Sequence, residues 1–165
     1  MSQSCVWKGL AAGAAAGVLG SWVMNKFQAL LSRASQSGGQ QQQRKSSDDP
    51  ATVKAAGEVS RRLLHRELEG SEKQTAGEIA HYAMGVVSGA VYGVTAAAFP
   101  VASAGLGLVF GTALWLIADE TTVPALGLSK GPWEYPVSSH ASALASHLVY
   151  GISTDLARRL LLCEL

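Results

Sequence analysis

Forty consecutive residues, Ile79 to Ala118, contain no Asp, Glu, Lys or Arg, and His81 is their only side chain able to carry charge near neutral pH. About 20 apolar helical residues cross a hydrocarbon core about 30 Å thick, so a run of this length predicts two spans and a turn. Pro100, with Ser103 and Gly105, marks Phe99 to Gly105 as that turn, because proline cannot donate the hydrogen bond that continues a helix and glycine loosens the backbone. Ser138 to Thr154 and Gly9 to Met24 also lack Asp, Glu, Lys and Arg, which makes four candidate spans. The fold expectation is an all-α, polytopic helical membrane protein of about four transmembrane helices plus one amphipathic helix. A composition of 48% hydrophobic and only 15% charged residues departs from the soluble average in the same direction.

Residues 1–31 read as the first transmembrane span. Its apolar part, Gly9 to Met24, is longer than the apolar region of a secretory signal and no small-x-small cleavage site follows, so a retained span from Val6 to Leu31, with Trp7 and Trp22 near its ends, is expected. Residues 32–48, with Ser37-Gly38-Gly39 and the Gln40 to Gln43 run, cannot bury enough apolar surface to offset ordering entropy and read as a flexible polar linker. Residues 49–75 read as an amphipathic helix capped by Asp49 with Pro50 at its first position. There Val53, Ala56, Val59, Leu63 and Leu64 recur at helical spacing among Lys54, Glu58, Arg61, Arg62 and Arg66, a pattern that suits a membrane surface, the bundle or a solvated connector. Residues 76–165 read as a three-span bundle with an interfacial loop at 121–137, broken by Pro124, Gly127, Gly131, Pro132 and Pro136 and anchored by Trp133 and Tyr135.

Glycines repeat at four-residue spacing within the spans: Gly9, Gly13 and Gly17, then Gly85, Gly89 and Gly93, then the pair Gly107 and Gly111. That spacing stacks them on one helix face, where missing side chains let a second backbone approach. The pattern predicts helix packing of the glycine-zipper kind and leaves open whether the partner helix is internal or from another copy.

Ionisable side chains at membrane depth are costly and tend to face a bundle interior, which makes them candidates for function. His81 lies four residues before Gly85, with Glu78 one turn earlier. His140 and His147 share a face that continues through Gly151 to Asp155. Glu78, His81, Asp119, Glu120, His140 and His147 are therefore the weak candidates for a metal site or proton relay. Glu78-x-x-His81 has the spacing of di-metal carboxylate bundles, but the second such pair is missing. The competing reading is interhelical hydrogen bonding by neutral histidines and tyrosines.

No nucleophile elbow, phosphate-binding loop, His-Glu-x-x-His or Cys-x-x-Cys motif occurs, so no catalytic residue and no cofactor is expected. Cys5 and Cys163 lack metal-site spacing. A net charge of +1 lends no electrostatic support to a nucleic-acid partner. The expected partners are membrane lipid and either a second copy or other membrane proteins.

The segments Ala80-His81-Tyr82-Ala83-Met84-Gly85 with Gly89 and Tyr92-Gly93, Phe110-Gly111-Thr112-Ala113-Leu114-Trp115, Ala118-Asp119-Glu120, Val123-Pro124-Ala125-Leu126-Gly127-Leu128, and His140 with His147-Leu148-Val149-Tyr150-Gly151 resemble the YagU-type bacterial inner-membrane proteins. The likeness runs from roughly Asp49 to Arg159. It implies a multi-pass location in the bacterial inner membrane and a small helical bundle, and brings no activity or site residues. The expected role is accordingly that of a structural or accessory membrane component, with a proton or metal-ion transporter as the alternative. Nine of the 13 Lys and Arg residues fall between Lys26 and Lys73, which places that section in the cytoplasm. Four spans then carry Arg158 and Arg159 outside, in conflict with the same tendency.

Overall fold

The computed structural model describes residues 3–37 and 49–164. Most of the expected polar linker, including the Gln40 to Gln43 run, lies outside the described residues. Five helices of more than one turn organise the rest: α1 (Gln3–Ser37), α2 (Ala51–Val59), α3 (Gly70–Ala98), α4 (Leu108–Ile117) and α5 (Val137–Glu164). No strand occurs among the described residues.

One face of α1 is buried along Gly9, Ala12, Gly13, Ala16, Gly17, Gly20, Ser21 and Met24. These positions step by three and four, the period that lines up one side of a helix, and nearly all of them are small. α3 lies antiparallel against that face. Gly9 meets Gly93, Gly13 meets Gly89 and Gly17 meets Gly85, so numbers fall on one helix as they rise on the other. A Cβ added to Gly9 would lie 2.8 Å from the Gly93 carbonyl oxygen, and one on Gly13 would lie 2.9 Å from Gly93 Cα while striking the Gly89 carbonyl. Backbone touches backbone along three turns, so the packing partner of these glycines is internal to the chain.

α5 completes the bundle against α1 and α4. Gly20 of α1 faces Tyr150 and Thr154, and Gly107 and Gly111 of the α4 end face the backbones of Gly151 and His147. Gly107 also adopts φ +80°, a conformation closed to most side chains, so both its backbone and its neighbour demand glycine. Phe110 stacks on Tyr92 with centroids 4.3 Å apart and reaches Tyr150 at 5.9 Å, filling the gap between α3, α4 and α5.

The connection at Phe99 to Gly105 forms as expected: α3 ends at Ala98, a short 3-10 turn covers Pro100–Ser103, and Gly105 and Leu106 take positive φ. Three other boundaries differ from the sequence expectation. The amphipathic segment 49–75 is two elements, because the helix widens into a π turn at Ser60–Leu64 and breaks at His65 in a left-handed conformation, after which Gly70 starts α3. Pro50, not Asp49, occupies the cap of α2, with the Lys54 amide donating to its carbonyl. The connection 121–137 is helical at its start: α4 runs through a π turn at Ala118–Thr122 into one α turn at Val123–Ala125. Thr121 and Thr122 hydroxyls donate to the Leu116 and Ile117 carbonyls, five residues back, supplying partners where the wider turn loosens the ladder.

Among the described residues one helix, α3, is long and apolar enough to cross a membrane by length and composition. α4, at ten residues, rises only about 15 Å before its π turn. α1 and α5 are long, but their many Ala, Gly, Ser and Thr residues keep their hydropathy low.

Candidate functional site

Polar side chains concentrate at two levels of the bundle. The first lies where α3, α4 and α5 meet near the Phe99 to Gly107 turn. Asp155 is fully buried. Its Oδ1 accepts from the Tyr92 hydroxyl at 2.8 Å and from Arg158 Nη2 at 3.1 Å, and its Oδ2 accepts from Arg159 Nε at 2.8 Å. Arg159 also donates to the Ser103 carbonyl at 3.0 Å, tying α5 to the turn. The Arg158 guanidinium sits 5.5 Å from the Tyr92 ring centre, over its face. A buried carboxylate with this many donors is an anchor, because an ion taken out of water must be repaid by good geometry and satisfied lone pairs. The i, i+3 and i, i+4 spacing of Asp155 to Arg158 and Arg159 was visible in the sequence; the Tyr92 partner, 63 residues away, was not.

The second level is at the opposite end. His140, in the first turn of α5, receives Glu120 Oε1 at 2.6 Å on Nδ1 and the Pro132 carbonyl at 2.9 Å on Nε2. A carbonyl can only accept, so Nε2 carries a proton; a carboxylate on Nδ1 then draws a second proton to the ring. When the ring is protonated the pair is an imidazolium and a carboxylate, and Tyr135 covers it edge-on with ring centres 6.4 Å apart. The π turn sets this geometry, since Glu120 lies within it and one extra residue per turn changes the direction in which its side chain leaves the helix.

His147 lies two turns deeper on α5. Its Nδ1 donates to the Ala143 carbonyl at 3.0 Å and stands 3.6 Å from Asp119 Oδ2. His81 of α3 has its Nε2 buried with no hydrogen-bond partner. Asp119, at the polar end of α4, is the carboxylate that faces His147. Glu78 is exposed and turned from the seam, bordering a cavity of about 820 Å³ that His81 also lines. The expected row of Glu78 and His81 on one inward face is therefore split, because Gly77 and not Glu78 takes the buried position, where Val53 of α2 rests on it.

The six candidate residues thus resolve into the pair Glu120 with His140, the pair Asp119 with His147, and His81 and Glu78 outside both pairs. No group of three or more His, Cys, Asp or Glu side chains among the described residues is placed to hold a metal ion. Glu120 and His140 border a cavity of about 560 Å³ that Pro50, Lys54, Asp119, Lys130 and Tyr135 also line.

A family model described as a protein of unknown function (DUF1440) matches residues 42–156. The chain belongs to the DUF1440 family. No curated protein and no solved structure is matched. The DUF1440 match and the YagU-type resemblance cover nearly the same residues. The DUF1440 match takes in α2, α3, α4, the Glu120–His140 clasp and Asp155, but begins after α1. Within this DUF1440 chain, then, Gly85, Gly89 and Gly93 pack on a helix that the family model does not include.

Proposed function

We propose that this DUF1440 chain is a multi-pass protein of the bacterial inner membrane, acting as a structural or accessory component that assembles with a second copy or with other membrane proteins. One observation carries the reading: burial is inverted relative to a protein whose solvent is water. The largest fully buried side chains among the described residues are Tyr92, Tyr150, Thr154, Asp155, Ser21 and Ser146, while Trp7, Leu19, Trp22, Val87, Val91 and Val109 are at least half exposed. Water drives large apolar groups inward, whereas a lipid solvent leaves them at the surface and lets small and hydrogen-bonded residues hold the interior. The glycine seam then works as an intrachain glycine zipper. α1, α3, the α4 turn region and the part of α5 beyond His140 would form the four crossings. The Arg158 and Arg159 conflict softens in this frame, since both guanidiniums are tied to Asp155 inside one protein.

The test is fractionation after expression. Alkaline carbonate should leave the chain in the membrane pellet, and detergent should be needed to release it. Recovery of dispersed, helical protein in buffer without detergent overturns the reading.

A second reading, proton translocation, is favoured by the Asp119–His147 pair beside the unpartnered Nε2 of His81. Proteoliposomes would then acidify under an imposed potential, and His147→Ala would abolish the flux with assembly intact. Absence of flux in the intact protein removes this reading and leaves the first.

A further inference from the structure

His140 joins three separate pieces of chain. Its own backbone is the first turn of α5, Glu120 comes from the π turn that ends α4, and the Pro132 carbonyl belongs to the connection between them. The connection is otherwise lightly held. Its other bonds are local, among them the Lys130 amide to the Tyr135 hydroxyl at 3.3 Å, the Gly131 amide to Glu134 Oε1 at 3.1 Å, and the Glu134 and Tyr135 amides to the Gly131 and Pro132 carbonyls at 3.0 and 3.3 Å. The same connection forms one wall of the 560 Å³ cavity that Asp119 also lines.

We propose that the Glu120–His140–Pro132 clasp is a proton-operated latch that pins this connection to the end of α4 and the start of α5. With both ring nitrogens protonated, His140 donates to the carboxylate and to the carbonyl together. When the ring gives one proton to water, a single N–H remains for two acceptors. The bare nitrogen then faces an oxygen lone pair, and one of the two attachments is lost. The Glu120 hydrogen bond is the largest influence holding the imidazole above its ordinary 6.5, and the Pro132 carbonyl adds to it. A group raised in this way contributes fully below its unfolded value and loses its contribution as pH climbs through the folded one, so the latch is shut near pH 6 and opens on the alkaline side. The other charged groups around the cavity are Asp49 and Lys54 beside α2, Lys130 and Glu134 of the connection, and Asp119 of the π turn; Tyr135 covers the ring and His147 lies two turns along α5. Their charges largely offset one another, which leaves Glu120 in direct contact as the deciding partner. The latch goes beyond the membrane reading and stands without it, since no part of the clasp requires lipid.

The experiment places a nitroxide on the connection. In the full chain with Cys5→Ser and Cys163→Ser, Trp133→Cys is labelled, the protein is held in detergent micelles, and the mobility of the label is followed by electron paramagnetic resonance from pH 5.5 to 9.5. A slow component dominant at pH 6 should give way to a fast one with a midpoint above 6.5. Glu120→Gln should move that midpoint down by about 1 pH unit or more, because an amide cannot hold the second proton on the ring. His140→Gln should remove the transition, and His65→Gln, at an exposed histidine outside the clasp, should leave it in place. A label whose mobility does not change with pH, a transition that survives His140→Gln, or a midpoint unmoved by Glu120→Gln overturns the latch. A second nitroxide at Val87 reports oxygen against water accessibility in vesicles, so failure of the membrane reading is seen independently of the latch.

Discussion

Asp155 has no exposed surface and answers three donors, two of them guanidiniums, so its loss is not a loss of one hydrogen bond. Asp155→Asn would leave Arg158, 8% exposed, charged and uncompensated in the interior. Removing one partner of a buried pair costs about 3–5 kcal/mol, while replacing both with apolar groups of similar size is often near neutral. Detergent unfolding followed by circular dichroism should therefore show Asp155→Asn strongly destabilised and Asp155→Asn with Arg158→Met restored by more than half. Arg159→Gln should cost much less, because that side chain is 47% exposed and solvent screens it. At the seam, Gly89→Val would drive its side chain into the Gly13 carbonyl and the backbone of Gly17, atoms that cannot rotate away. Overpacking of this kind costs about 1–3 kcal/mol or more, so the same unfolding assay should place Gly89→Val well below Gly105→Ala in stability, though Gly105 adopts a positive φ of its own. The glycine faces were legible in the sequence because spacing alone puts residues four apart on one side of a helix. That Gly13 faces Gly89 was not, since spacing within a helix carries no information about which other helix arrives.

At the scale of the element, α2 and the π turn after α4 depart most from periodic reading. α2 is held to α3 chiefly where Val53 enters the space above Gly77. Gly77→Leu would fill that space and lift α2 away, so amides of residues 51–64 should exchange with deuterium markedly faster while those of α3 beyond Ile79 keep their protection. Equal exchange in both segments would count against this docking. The π turn holds Asp119 and Glu120 in the directions that meet His147 and His140. Deleting Thr121 would convert it to ordinary helix and change the directions in which those carboxylates leave it, so the ring nitrogens of His140 should titrate at lower pH than in the intact chain. No residue pattern announces a π turn before Thr121 and Thr122 are seen donating five residues back, which is why residues 121–125 read as loop. His140 was identifiable as an ionisable group on a helix face; its partner Pro132 acts through a carbonyl, and every residue has one.

Across the whole molecule, lengths and composition forecast helices and only helices, and the described residues bear this out. Apolar runs fix helical type well because a 3.6-residue period with no strand alternation admits one geometry, whereas the count of crossings depends on depth in lipid. One helix meets the length and apolarity needed to cross. The proposed arrangement makes a further demand on the exterior: Trp7, 67% exposed, and Trp22, 53% exposed, stand on the same long helix 15 residues apart. In vesicles, a water-soluble quencher added only to the outside should reach one of two single-tryptophan variants at these positions and spare the other, because a crossing helix presents its ends to opposite sides. Equal quenching of both from the outside would argue for α1 lying flat.

Where two main chains rest directly on one another, there is no side chain left to adjust. The α1–α3 seam therefore behaves as a rigid strut, and shape change in the molecule has to come from the half built on α4, its widened turn and the connection to α5. It also reverses the usual map of tolerance: a scan of every substitution should find the interior accepting almost nothing larger than what is there, down to a single methyl at Gly13 or Gly89, while the large outward residues trade freely among Leu, Val, Ile and Phe.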